Sequence, residues 1–206
     1  MINNTRGLGS IFSRSIKLST SAPTSAPTSA PVDVTDPRFI SGIPDNGDFW
    51  PDLQKYTYIG YFNDDLNFFN NATAASSITS STINFTTIPN LRSVKYTGYF
   101  KPSSSGLTTI SLTSDDACYV WIGNSALSPT TANALIKCPG IHNVAALNSR
   151  GSAEILLNSD YYHPLRIYYG NNTVTGSLTV SVKMPGLPLT YSIPNNLFRN
   201  NTLTIN

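Results

Sequence analysis

From Tyr56 onward the chain repeats one pattern: a short run of aromatic and β-branched residues, then a cluster of turn formers. The runs are Tyr56–Phe62, Val94–Phe100, Leu107–Thr113, Cys118–Ile122, Ala153–Leu157, Pro164–Tyr169 and Leu178–Lys183. The breaks include Pro102-Ser103-Ser104-Ser105-Gly106, Gly123-Asn124, Pro139-Gly140 and Gly170-Asn171-Asn172. In Leu107–Thr113 the set Thr108, Ile110, Leu112 alternates with Leu107, Thr109, Ser111, Thr113, which puts the two sets on opposite faces of a strand. Short strands at this spacing, with no helical period, predict an all-β sandwich or barrel. The Ala/Ser/Thr-rich stretch Asn70–Thr82 reads as a loop, and Lys-Tyr-Thr at 55–57 and again at 95–97 reads as strand composition.

The composition agrees. The 206 residues are 12% charged and 11% aromatic. Asn makes up about a tenth and Ser plus Thr about a quarter, a mixture poor in helix formers and rich in strand and turn residues. A long-helix or coiled-coil protein is excluded, as is a disulfide scaffold, since there are 2 cysteines. No apolar run approaches the ~20 residues of a membrane-spanning helix. The net charge of +2 gives the body no grip on nucleic acid.

The charge is uneven. Residues 1–32 carry Arg6, Arg14 and Lys17 and no acid. Residues 1–19 are a basic arm, and the start is not read as a secretory signal because Leu8, Ile11, Phe12, Ile16 and Leu18 are broken up by Ser, Arg and Lys. Three readings stay open: a disordered tail, an arm lying on a neighbouring subunit or acidic surface, and an organelle transit peptide. Residues 20–35 form a spacer built on three copies of Thr-Ser-Ala-Pro, beginning at Thr20, Thr24 and Thr28. Proline at every fourth position forbids helix, so this segment is expected to be extended, with twelve residues reaching ~35 Å. Residues 36–185 form the sandwich, and 186–206 are a C-terminal tail expected to pack on it.

Chemistry-bearing residues are few. Asp115-Asp116 sits at a strand corner. In an ordinary strand neighbouring side chains point to opposite faces, so only a sharp corner or an unusual peptide would bring both carboxylates to one ion. A hard cation such as Ca²⁺ takes about 6–8 oxygens, from carboxylates, carbonyls and Asn amides, and the loop from Gly170 to Gly176 offers such oxygens. The alternative is a pair of carboxylates capping backbone N–H groups at a turn. Cys118 reads as a small core residue. Paired with Cys138 it would add roughly 3 kcal/mol in the loop-entropy view, whereas without an export signal reduced thiols are expected. His142 and His163 read as surface or loop residues. Glu154, the one glutamate, falls in a strand. There is no G-x-S-x-G, H-E-x-x-H or phosphate-cradling glycine loop, and a non-enzymatic protein is expected. Sequons at Asn3, Asn71, Asn84, Asn171 and Asn200 match what chance gives in so Asn-, Ser- and Thr-rich a chain, and carry no information on secretion.

One ordered set of motifs goes further. Tyr96-Thr97-Gly98-Tyr99-Phe100-Lys101-Pro102, Gly106, Ser114-Asp115-Asp116 and Trp121-Ile122-Gly123-Asn124 resemble, in that order, the protective-antigen-type (PA14) domain and its GLEYA relatives. Gly60-Tyr61-Phe62 with Phe68-Phe69, Ile83-Asn84-Phe85 and Tyr161–Tyr169 resemble further strands of that family, and Ile193-Pro194 with Leu197-Phe198 its trailing segment. Coverage runs from about 56 to 185. The resemblance implies an antiparallel β-sandwich. In the yeast-adhesin branch it implies calcium held by the Asp pair and completed by an Asn in the loop after the Arg-Ile strand, with a glycan hydroxyl pair capping the ion. Asp115, Asp116 and Asn171 match these positions, and Asn172 is the neighbouring glycan candidate. The longer Gly- and Trp-bearing glycan loop of that branch is not evident here.

Compact copies with similar corners also resemble proteins of large DNA viruses and phages. With the basic arm and spacer, this gives the first functional expectation: a structural or attachment module of a large assembly, a minor capsid or other virion component, docking on other subunits through residues 1–35. The alternative is a calcium-dependent carbohydrate-binding adhesin module at a cell surface, with cell-surface glycans as partners.

Overall fold

The computed structural model describes residues 38–44, 49–187 and 198–201. The chain divides into two units, Met1–Pro31 and Val32–Asn206; all described residues belong to the second. The expectations for residues 1–35 lie outside the described residues.

Thirteen strands are described: β1 (Ile43–Pro44), β2 (Phe49–Pro51), β3 (Leu53–Ile59), β4 (Ser76–Ser80), β5 (Phe85–Ile88), β6 (Arg92–Phe100), β7 (Gly106–Asp115), β8 (Cys118–Ile122), β9 (Ile136–Cys138), β10 (Arg150–Leu157), β11 (Tyr161–Asn171), β12 (Gly176–Lys183) and β13 (Phe198–Asn201). Two one-turn helices, α1 (Phe68–Asn71) and α2 (Asn124–Leu127), accompany them. The nine-stranded sheet has the order β2-β13-β6-β11-β8-β9, with β1 beside β11, and β3 linking β6 to β4. The second sheet has the order β10-β7-β12-β5. Every pairing is antiparallel, so the molecule is an antiparallel all-β sandwich.

The period-2 pattern decides which side chains meet. From β7 and β12, Ile110, Leu112, Leu178, Val180 and Val182 point inward against Val94, Tyr96, Phe100, Val120 and Ile167 of the larger sheet. Outward, β7 shows Thr and Ser, and Ser111 Oγ meets Ser152 Oγ at 2.8 Å across the β7–β10 pair. The middle of the larger sheet, at β8 and β11, is buried on both faces. All five residues of β8 are buried: Cys118, Val120 and Ile122 enter the inter-sheet core. Tyr119 and Trp121 join a second aromatic cluster with Tyr58, Phe62, Phe69 and Tyr168, covered by the Gly60–Ala75 crossing and α1. The Trp121 indole N–H is satisfied there by Thr130 O at 2.9 Å and Asn133 Oδ1 at 3.0 Å.

Three expectations need correction. Asn70–Thr82 is not all loop: α1 ends at Asn71, and Ser76–Ser80 is the edge strand β4, paired with β3. Its side chains are largely exposed, so an edge position asks only for backbone pairing and leaves no apolar alternation to read. The strand starting near Tyr56 stops at Ile59, because Gly60, Asn63 and Asp64 all take positive φ (108°, 48° and 60°) and turn the chain over the outer face. Both histidines are buried. His163 lies within β11, and its ring nitrogens face the carbonyls of Asn158 at 3.0 Å and Ser41 at 3.4 Å; His142 does lie in a loop. Lys-Tyr-Thr proves to be a pairing unit, since β3 and β6 put Lys55 opposite Tyr96 and Tyr56 opposite Lys95. Cys118 and Cys138 stand directly opposite each other across β8–β9 as free, buried thiols. Burial pushes Cys138 up to about 11.

Candidate functional site

Strands change sheets at one end of the sandwich. There β7 gives way to β8, β11 to β12, and β5 to β6, and each connection passes from one sheet to the other. Asp115-Asp116 lies on the first crossing, Asn171–Thr175 on the second and Pro89–Leu91 on the third. The pair is not in an ordinary strand: β7 ends at Asp115, the Asp115–Asp116 peptide is cis, and β8 begins at Cys118.

Asp116 is almost fully buried. Its Oδ1 accepts the backbone N–H of His142 at 2.7 Å and its Oδ2 that of Asn172 at 2.8 Å. It therefore caps backbone groups, as one sequence reading expects, and each oxygen keeps a second acceptor site. Asp115 is half-buried. Burial raises its carboxyl above the usual carboxylate range, the Asp116 charge adds to this, and His142 opposes it. Its carbonyl accepts the Tyr169 hydroxyl.

Asn171 is fully buried. Its Nδ2 donates to Ile88 O at 3.1 Å, Pro89 O at 3.0 Å and Val174 O at 2.9 Å, which ties the three crossings together. The amide is thereby oriented, and its Oδ1 is left buried with no hydrogen-bond partner. Gly176 leaves the space for this arrangement: a Cβ there would stand 2.5 Å from Asp115 O and 2.6 Å from Asn171 Cγ. Asn172 is half-buried, and its carbonyl accepts Leu91 N–H at 3.4 Å. Thr173, Val174 and Thr175 are exposed beyond it, with Val174 at φ 53°, an uncommon conformation for a β-branched residue. The structure thus brings all four candidates, Asp115, Asp116, Asn171 and Asn172, to one corner.

Other contributors carry no local signal in the sequence. The His142 loop is one. Asp64 is another, accepting the Tyr119 hydroxyl at 3.0 Å and Gly140 N–H at 2.9 Å. Tyr61 is a third. Its hydroxyl is buried without a partner, and burial, then Asp64 and Asp116, hold it well above the usual phenol range.

The donor set suits a hard cation. Two carboxylates and a fixed amide oxygen are all oxygen ligands, and an orphaned buried acceptor is the kind of atom a cation satisfies. Among the described residues, no group of three or more His, Cys, Asp or Glu residues is placed to hold a metal, and no helix is long and apolar enough to cross a membrane.

Residues 92–184, from β6 to just past β12, match the GLEYA domain. No curated protein matches the chain in sequence. Among solved structures, the Epithelial Adhesin 6 A domain from Candida glabrata, in complex with Galβ1-3GlcNAc, aligns with a TM-score of 0.63 at 17% identity, covering 79% of this chain and 93% of that one. The PA14 sugar-binding domain of an RTX adhesin aligns at 0.58 with 12% identity, covering 73% and 99%. The PA14 domain of the MpAFP antifreeze protein aligns at 0.60 with 10% identity, covering 78% and 95%. At such identities the structural likeness speaks to the fold, and the GLEYA match speaks to the sequence of its second half. The described body of this chain has a PA14/GLEYA-like fold, and residues 92–184 within it match the GLEYA domain.

Proposed function

We propose that the protein is a calcium-dependent carbohydrate-binding module of the adhesin kind. Asp115, Asp116 and Asn171 hold the ion, and Asn172 with the exposed turn Thr173–Thr175 faces the sugar. The observation that carries this reading is the Asn171 Oδ1, buried and without a donor, at the corner where Asp116 holds the next residue's backbone N–H. Calcium would supply charge at that oxygen and open coordination positions for a pair of sugar hydroxyls; the remaining oxygens come from backbone carbonyls and water. This chain's own residues do the orienting: three carbonyls fix the Asn171 amide, and two backbone N–H groups fix Asp116.

The sugar-bound fungal adhesin domain and the sugar-binding PA14 domain support the carbohydrate part and a cell-surface setting. The reading as a virion component rests on residues 1–35, outside the described residues, and on the resemblance of the corner to compact viral and phage copies; the comparisons favour the adhesin reading instead.

The test is a thermal melt of the whole chain in millimolar calcium and in chelator, followed by binding to Galβ1-3GlcNAc and lactose under both conditions. An ion at ~100 times its dissociation constant adds ~2.7 kcal/mol. A calcium-dependent rise in Tm that Asp116→Asn abolishes, with sugar binding that chelator removes, is the expected result. An unchanged melt would make Asp115-Asp116 a turn cap only.

A further inference from the structure

On the outer face of the larger sheet, away from the Asp corner, two cations stand together. Arg166 of β11 pairs in register with Thr97 of β6, and Lys95 of β6 pairs with Tyr168 of β11. Arg166 and Lys95 are thus diagonal neighbours on one face, about 7–8 Å apart at the backbone.

Arg166 is only 8% exposed. Among the described residues its hydrogen bond is a long one, Nη1 to the Tyr168 hydroxyl at 3.3 Å, and Nε is buried with no partner. Arginine stays charged at any physiological pH, and a buried charge without a counter-charge is costly. Placing Lys95 beside it adds repulsion. Lys95 lies 4.8 Å above the Tyr56 ring, and burial with the nearby Arg166 lowers its ammonium below the usual range. Four of the described acids are engaged or placed elsewhere: Asp64 and Asp116 bind backbone and hydroxyl groups, Asp65 binds Asn67 N–H, and Glu154 lies on the other sheet. Thr97 and Lys95 are partly exposed, so the pair is reachable from solvent. A planar fork beside an ammonium matches an oxyanion, which would satisfy Nε and separate the two cations.

We propose that Arg166, Lys95 and Thr97 form an anion site on the outer sheet face that accepts the sulfate or carboxylate group of an acidic glycan. The glycan part rests on the function proposed above; the oxyanion part stands alone.

The experiment titrates the whole chain with inorganic sulfate and with acetate, at constant ionic strength in chloride, and follows Tm and heat. Sulfated and uronate-bearing oligosaccharides follow, to separate the two anion chemistries. Expected is saturable binding, unaffected by chelator, weakened about tenfold in Lys95→Gln and weakened independently in Thr97→Val. Both variants change partly exposed side chains, so they fold whether or not Arg166 variants do. No saturable response to either anion, or a response unchanged in both variants, would overturn the site. No anion binding by the unsubstituted chain, with its calcium-dependent binding of neutral galactosides intact, would sink this site alone, and the reverse would sink only the calcium reading.

Discussion

The Asp116 carboxylate accepts the Asn172 backbone N–H at 2.8 Å across 56 residues of sequence. With its other oxygen on His142 N–H, it fastens the β11–β12 loop and the His142 loop to the β7–β8 corner. Asp116→Ala leaves two backbone donors without their acceptor, each worth about 1–3 kcal/mol where buried. The variant should melt several degrees lower in chelator as well as in calcium. Unchanged melting in chelator would show that the carboxylate's bonds are not structural.

Asn171 separates orientation from charge. Asn171→Ala removes the donor to three carbonyls, while Asn171→Asp sets a second anionic oxygen against the same three. Buried mismatch of this kind costs more than a missing partner. In chelator, Asn171→Asp is expected to be less stable than Asn171→Ala by denaturant unfolding. The opposite order would mean that the amide is not held as described.

Gly176 supports the corner by having no side chain. Its added Cβ would press on the Tyr169 hydroxyl as well as on Asp115 O and Asn171 Cγ. Gly176→Ala should cost about 1–3 kcal/mol, the range for overpacking. It should also weaken the calcium response, which a purely remote destabilisation would leave in place.

Calcium affinity should depend on pH through Asp115. Its carboxyl is raised above 3.8 by burial and by Asp116, and protons compete with the metal for it. Affinity measured by calorimetry is expected to fall as pH drops into that raised range, beginning at higher pH than for an ordinary carboxylate. Asp115→Asn should flatten the profile while lowering affinity overall.

His163 sets a second pH dependence with no metal involved. Burial lowers its imidazole below 6.5, against the raising effect of the Asn158 and Ser41 carbonyls. The unfolded chain therefore binds the proton more readily than the folded one. Stability is full above about 6.5 and is lost as pH falls from there through the lowered folded value. Chemical denaturation between pH 7.5 and 5 should show this loss in chelator, and His163→Gln should reduce it.

The strand runs were legible because a half-buried strand must alternate. Leu107–Thr113 shows this, and Cys118–Ile122 could be placed as a strand though its two-sided burial depends on what covers the outer face. β4 was not legible, since an edge strand of Ser and Thr has backbone pairs but no apolar face to announce it. The burial of His142 and His163 was equally hidden: each is enclosed by segments distant in sequence.

At the candidate site, the sequence by itself determined the oxygen-bearing side chains and the corner that carries Asp115 and Asp116, because paired acids before a buried strand are a local fact. Only the tertiary structure decided that Asn171 comes to the same corner with an unpartnered, oriented oxygen. That oxygen exists because Ile88, Pro89 and Val174 occupy the other end of the amide, and Ile88 lies 83 residues away. Three connections crossing between the sheets at one end bring these groups together, and strand order, which no local pattern encodes, sets which crossings share that end.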